Sequence, residues 1–463
     1  MSVSKTLRSF IGDKKFYKYV LAIMLPIMIQ TGITNFVNML DNVMIGTLGG
    51  NETTGVAVAN QLIFVFNLCI FGAVSGAGIF GAQFFGKGDH EGLRQTLRFK
   101  LISTFGLTIG AIFLFIFAGD MLINLYLQGE GSAADIAASL GFARKYLNIM
   151  LIGLIPYTIA QCYSSTLRET GQTVLPMYAG VAAVGLNLFL NWVLIYGNLG
   201  APKLGVDGGA IATVISRFAE MFIVIIGTHF NRNKNIFAEG LYSSLYVPSA
   251  LIKKILAKGL PLMMNETLWA AGIAAANRAY SLRGLDVVTA NNISQTFFNV
   301  FSVAFLTVGQ AIGIILGQKL GAQDTEGAKD AAKKLIAFSI FTSCIVATVY
   351  FIAAEYIPNL YETSNDVRRL ATNLMRITAL AMPLDSIANA SYFTLRSGGK
   401  TFITILFDSC FVWVVTVFTA TMLVNFTTLP ILPLYAICQG LNIIKDIVGL
   451  TLVKKGIWIQ IIV

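Results

Sequence analysis

Three carboxylates, Asp41, Glu266 and Asp385, sit in stretches of this sequence that are otherwise fit for hydrocarbon. An acid in such a place is costly, and normally faces a bundle interior or a water-filled cavity rather than lipid. The chemistry open to it is reversible binding of a small cation. A hard ion such as Na⁺ needs several oxygen ligands, whereas a proton needs one carboxylate. Around Asp41, in "NFVNMLDNVMIG" from residue 35, the positions Gln30, Thr34, Asn38 and Asp41 recur at helical spacing and therefore share one face. Pro26, upstream in the same stretch, removes a backbone hydrogen bond and is the natural hinge. The plainer reading of Asp41 is a carboxylate reaching the interface from the nearby loop "TLGGNETTG".

Other polar residues fall into the same pattern. In "GLNLFLNWVLIYG" Asn187 and Asn191 lie one turn apart, suited either to ligand contact or to joining helices. "LPLMMNETLWAAG" carries Glu266, and "MPLDSIANASYFTLR" carries Asp385 with Asn389 one turn on. Lys258 and Arg396 lie at similar distances from the two acids, which puts both toward mid-membrane, where they would form an ion site, including a candidate Na⁺ site at Glu266 and Asp385, or else be satisfied by Arg278 or nearby hydroxyls. Asn291, Asn292, Gln295 and Asn299 answer Asn60, Gln61 and Asn67, with Phe64, Phe297, Met24 and Met28 among the interleaved residues. Aromatic and thioether walls suit organic cations through cation–π and sulfur contacts, although such residues are more often plain packing.

The elements that position these residues are long apolar helices. Of 463 residues 56% are hydrophobic and only 12% are charged, against about 25% charged in a soluble domain. Runs of roughly 20 residues, enough to cross hydrocarbon, start near 17, 54, 94, 133, 172, 207, 250, 287, 328, 365, 400 and 432. The chain is therefore expected to be an all-α, multi-pass membrane protein of about twelve helices. Its net charge of +10 would suggest nucleic acid in a soluble protein, but here Lys and Arg collect in alternate loops. Lys5, Arg8, Lys14, Lys15 and Lys18 precede the first span, and further clusters occupy "GKGDHEGLRQTLRFK", "NRNKN", "IKKILAKG" and "VKKG"; the loop from 118, "AGDMLINLYLQGEGSAAD", is acidic. That bias places both termini in the cytoplasm, with Arg368 and Arg369 as exceptions. No cleavable leader is read at the N-terminus.

Enzyme chemistry finds no footing. The histidines, His90 and His229, fall in or beside cytoplasmic segments, the five cysteines are scattered through spans, and "RSGGKT" lacks the spacing of a phosphate-binding loop. No cofactor is expected beyond a coupling ion, H⁺ or Na⁺.

The chain also repeats itself. Leu25-Pro26 answers Leu260-Pro261, "GAQFFGKGD" from Gly81 answers "LGQKLGAQD" from Leu316, and "TLRETGQT" from 166 answers "TLRSGGKT" from 394, with Pro156 and Pro383 in step. Six helices per repeat make the halves parallel. The expected division is an N-lobe over 1–235, a cytoplasmic linker over 236–250 and a C-lobe over 251–463, an arrangement that rocks about a central cavity and favours a carrier, for which a monomer suffices.

Taken together, the six-plus-six repeat, the Pro26 to Asp41 helix, the paired loop motifs and "NLFLNWVLIYG" resemble the multidrug and toxic compound extrusion (MATE) family over nearly the whole chain, in its DinF-like or MepA-like bacterial type with some NorM-like features. The resemblance implies a V-shaped pair of lobes in the inner membrane that exports cationic or amphipathic organic compounds, antibiotics included, in exchange for H⁺ or Na⁺. It assigns the family's first-helix acid to Asp41 and its fifth-helix Asn to Asn187. Many members carry Asp one turn later, where this chain has Asn191. Glu266 and Asp385 resemble the acids of the seventh and tenth helices. A flippase of lipid-linked precursors, from the same superfamily, is the alternative; it would favour a cationic cavity, whereas the intramembrane surplus here is acidic.

Overall fold

The computed structural model describes residues 9–127 and 132–463, so Lys5, Arg8 and positions 128–131 of the acidic loop lie outside the described residues. The described chain is helical and contains no strand. In order it forms α1 (Lys14–Gly46), α2 (Gly50–Lys87), α3 (His90–Leu127), α4 (Ala133–Glu169), α5 (Val174–Tyr196), α6 (Val206–Phe230), α7 (Ser249–Ser281), α8 (Leu285–Phe301), α9 (Val303–Gly321), α10 (Thr325–Ala353) and α11 (Asn365–Ser397). Two more crossings follow, α12 (Thr401–Phe426), which contains π-helical turns at Leu406–Cys410 and Val412–Val417, and α13 (Ile431–Lys454). The helices begin within about a turn of the positions expected from sequence, and α8 and α9 are one crossing interrupted at Ser302.

Among the described residues ten helices are long and apolar enough to span a membrane. Two others, α7 and α11, have 33 residues each but are too polar to pass the same test; they are the helices that carry Glu266 and Asp385. Lipid-side character is plain on α3, where Phe105, Phe113 and Phe117 are exposed.

The repeat is visible in how the helices stop. After α2, Gly88 takes a left-handed φ of 78° and the Asp89 amide returns to the Phe84 carbonyl; after α9, Gln323 takes φ 61° and the Asp324 amide returns to Lys319. Gly171 and Gly399 close α4 and α11 in the same way, donating to the Arg168 and Arg396 carbonyls. Three of these four positions are glycine, the residue that adopts such a φ at no steric cost. The four aligned prolines, Pro26, Pro156, Pro261 and Pro383, all lie inside helices.

The chain packs as two units. One comprises the chain up to Met28, Ala82–Asp89 and Leu256–Val463; the other comprises Ile29–Gly81 and His90–Ile255. Helix α1 thus changes unit two residues after Pro26, while remaining helical throughout.

Within the first unit the two repeated loop motifs meet each other. A Cβ on Gly86 would lie 1.9 Å from the Gln318 carbonyl oxygen, and one on Gly321 would lie 1.9 Å from that of Gln83. The ends of α2 and α9 therefore cross backbone to backbone. Gln83 donates to the Ser397 and Gln460 carbonyls at 3.1 Å and accepts the Ile462 amide, while Gln318 accepts the Tyr19 hydroxyl at 2.6 Å.

The second unit contains a buried ion pair: Lys100 Nζ donates to Glu169 Oε1 at 2.5 Å, with Ser165 and Thr166 hydroxyls as further acceptors. Gly78 and Gly81 of α2 provide the room; a Cβ on Gly81 would stand 2.0 Å from Glu169 Oε2. Arg98, near the start of α3, donates to the Gly240 and Leu241 carbonyls and so fastens the segment that leads to α7.

Candidate functional site

Asp41, Asn187 and Asn191 come together in the second unit. Helix α5 presents both amides because they are one turn apart, and Asn191 Nδ2 donates to Asp41 Oδ1 at 2.7 Å. With the Asn187 amide turned over it donates to Asp41 Oδ2 at 3.0 Å and to Oδ1 at 3.2 Å, and accepts from Thr213 Oγ1 at 3.2 Å. In that orientation Asn187 and Asn191 both donate to the Asp41 carboxylate. Asn187 and Asn191 are buried, and Asp41 is half-buried.

The other N-terminal candidates divide. Gln30 Oε1 accepts from Arg168 Nη2 at 2.7 Å, and Gly180 leaves the space for it. Asn60 reaches the Tyr146 hydroxyl, which also meets Thr213. Thr34 returns its hydroxyl to the Gln30 carbonyl, and Asn38 is exposed. The expected stripe therefore splits: Gln30 and Asp41 enter polar networks, Thr34 serves its own helix, and Asn38 stays open.

In the first unit, the two C-terminal acids have separate partners. Glu266 Oε1 accepts the Tyr392 hydroxyl at 2.7 Å and lies in the field of Arg396, while Arg278 is exposed at the far end of α7. Asp385 Oδ1 accepts from Asn442 Nδ2 at 3.2 Å. Asn389 points at the Phe305 and Leu306 carbonyls at 3.5 Å, where Gly309 leaves room for it. Asn292 is exposed and Gln295 half-buried on α8, while their neighbour Asn291 is buried and donates to Asn277. No group of three or more His, Cys, Asp or Glu suited to a metal ion occurs among the described residues.

Several residues of these networks carry no obvious mark in the sequence. Tyr146 and Thr213 join the Asp41 cluster from α4 and α6. Arg217 stacks on Tyr157, 5.0 Å from its ring centre, with Arg168 and Glu220 in electrostatic range. On α12 and α13, Lys445 Nζ donates to Asp408 Oδ1 at 2.5 Å, and Asp408 Oδ2 accepts from Asn265 at 3.1 Å.

The two repeated halves have a counterpart among known families. The MatE family profile matches residues 26–193 and again residues 261–422, once in each repeat. The chain belongs to the MATE family. It is 24% identical over 447 residues to the "Probable multidrug resistance protein NorM" of Thermotoga maritima, covering 93% of this chain and 89% of that one. It is 27% identical over 408 residues to the "Multidrug resistance protein PmpM" of Pseudomonas aeruginosa, covering 86% and 81%. Among solved structures, an outward-facing multidrug resistance MATE family transporter of the MOP superfamily superposes with a TM-score of 0.84 at 19% identity, covering 98% of each chain. This MATE chain therefore shares the transporter fold along its whole length, and in it the fifth-helix amides Asn187 and Asn191 surround one carboxylate.

Proposed function

We propose that this MATE chain is a secondary active exporter that exchanges cationic or amphipathic organic compounds for H⁺ or Na⁺ by opening alternately to each side of the membrane. In this reading it lies in the cytoplasmic membrane with both termini inside, works as a monomer, and is divided into an N-lobe over 1–235, a linker over 236–250 and a C-lobe over 251–463. Asp41, Glu266 and Asp385 are the cation-coupling acids. Gln30, Thr34, Asn38, Asn60, Asn187, Asn191, Asn292, Gln295 and Asn389 supply polar surface for substrate, and Pro26 is the hinge of α1.

One observation carries the reading: the donors to Asp41 are amides, Asn191 and Asn187, and not a cation. A carboxylate locked to a buried ammonium cannot change charge without stranding its partner, as Glu169 would strand Lys100. Asp41 can accept a proton or an ion, or an organic cation in its place, and leave only neutral groups behind. Entry of one positive charge at 100 mV is worth about 2.3 kcal/mol, roughly a fiftyfold concentration ratio.

The test is efflux of a fluorescent organic cation from proteoliposomes under separately imposed pH and Na⁺ gradients, for wild type, Asp41→Asn and Asp385→Asn. The reading expects one gradient to drive efflux and Asp41→Asn to uncouple it. Failure of both gradients to move any tested cation would reject it.

A further inference from the structure

The last helix contributes an acid that the mechanism above does not use. Asp446 on α13 is 4% exposed, and neither of its carboxylate oxygens has a hydrogen-bond donor. Asn442, one turn earlier on the same face, donates to Asp385, so this face of α13 is turned toward Asp385 on α11, and the two acids lie within electrostatic range of each other. Gly449, also on that face, brings the helices close: a Cβ there would meet the Ser391 Cβ at 2.9 Å and the Phe407 ring at 2.8 Å.

The neighbouring cations are already engaged. Lys445, adjacent in sequence to Asp446, donates to Asp408 on α12 and lies 5.4 Å from the Phe407 ring centre. Arg396 lies in the field of Glu266. Tyr435, on the first turns of α13, is in range of Asp385 and shares a hydroxyl contact with Thr378. Lys445 also lies in electrostatic range of Asp385 and Asp446, but its ammonium is bonded to Asp408, so four carboxylates, Glu266, Asp385, Asp408 and Asp446, face two cations, and the pair without a bonded cation is Asp385 with Asp446. A buried carboxylate without a donor, in the field of a half-buried one that has a single amide donor, is costly to keep ionised beside it. An ion such as Na⁺ would need several more oxygens; one proton suffices.

We propose that Asp385 and Asp446 form a carboxylate pair that shares one proton, and that Asp446 is thereby a second proton-coupling residue of the C-terminal half. The proposal rests on the exporter reading for its use, but not for its chemistry.

The experiment measures proton uptake by purified protein after a jump from mildly alkaline to mildly acidic pH in weak buffer, read with a pH indicator, for wild type, Asp385→Asn, Asp446→Asn and the double variant. Melting temperatures are recorded alongside. The expected result is that each single variant takes up about one proton fewer than wild type and that the double variant loses no more than either single one, as a shared proton requires. Asp446→Asn should melt at or above wild type, because it removes a buried charge that has no donor. Unchanged uptake in Asp446→Asn, or single losses that add in the double variant, would overturn the pair. A lowered melting temperature with unchanged uptake would make Asp446 a structural anion and would also overturn it. Ethidium efflux under a pH gradient is run on the same wild-type preparation: if it fails while the uptake pattern holds, the exporter reading falls and the pair stands.

Discussion

A methyl group added at Gly321 would lie 1.9 Å from the Gln83 carbonyl oxygen and 2.7 Å from its Cα. Both are backbone atoms, so no side chain can swing clear, and the ends of α2 and α9 must separate by roughly 1 Å before the contact is tolerable. Overpacking of this kind costs about 1–3 kcal/mol. At about 2 kcal/mol the crossed arrangement loses roughly thirtyfold against any arrangement in which these ends are apart. The assay is the rate at which an impermeant maleimide labels a cysteine placed at Ala82, which packs on Gly317 and is 3% exposed, in protein whose five native cysteines are replaced. Gly321→Ala should label roughly ten to thirty times faster than its parent. Gly86→Ala should do the same, because the contact is reciprocal, and the double variant should fall short of the product, since one separation relieves both clashes. Gly106→Ala, where an added Cβ meets nothing within 4 Å, is the control for helix propensity. If Gly321→Ala labels and melts like Gly106→Ala, the backbones do not cross as described, and the reasoning fails.

Three further outcomes follow from the same structure. Glu169→Leu should destabilise the protein by about 3–5 kcal/mol by leaving the Lys100 ammonium buried and unpaired, while Lys100→Met combined with Glu169→Leu should recover most of that loss; denaturant unfolding of the cycle measures both. Gln323→Gly should raise stability by about 1 kcal/mol, since Gln323 holds the left-handed φ that its repeat partner gives to Gly88, and a drop in melting temperature would show that the Gln side chain contributes something that its backbone strain conceals. Asn191→Ala removes the 2.7 Å donor from Asp41, a charge-assisted hydrogen bond of about 1.5–3 kcal/mol; gradient-driven efflux should fall by about tenfold or more, and the melting temperature should fall by less than the full bond implies, because Asn187 still reaches both carboxylate oxygens.

Periodicity made the helices legible, and the recurring loop motifs made the duplication legible, because both are local. Asp41, Asn187 and Asn191 stood out as polar groups in apolar runs, but that Asn191 reaches across 150 positions to Asp41 depends on how α1 and α5 pack, which no spacing rule encodes. Tyr146 and Tyr392 were invisible for another reason: a tyrosine in a membrane helix is unremarkable until its hydroxyl is seen against Asn60 or Glu266. Asn442 and Asp446 were within reach of sequence reasoning. "LNIIKDIVG" places them one turn apart in an apolar span, the same signal that marks Asn187 and Asn191, with Lys445 beside the acid. The structure turns Lys445 to Asp408 instead.

The polarity of α7 and α11 also bears on how the protein is made. A helix is released into the bilayer by partitioning, and an acid near its centre opposes that step by about 3 kcal/mol. Helix α11 packs against α8, α9, α10 and α13. The first three precede it in synthesis, so they can receive it as it emerges, whereas the helix that brings Asn442 to Asp385 follows it. Until α13 arrives, Asp385 lacks that donor. The polar residues of α11 therefore impose an order on biogenesis, and substitutions such as Asn442→Leu would be felt first in the yield of inserted protein and only afterwards in its activity.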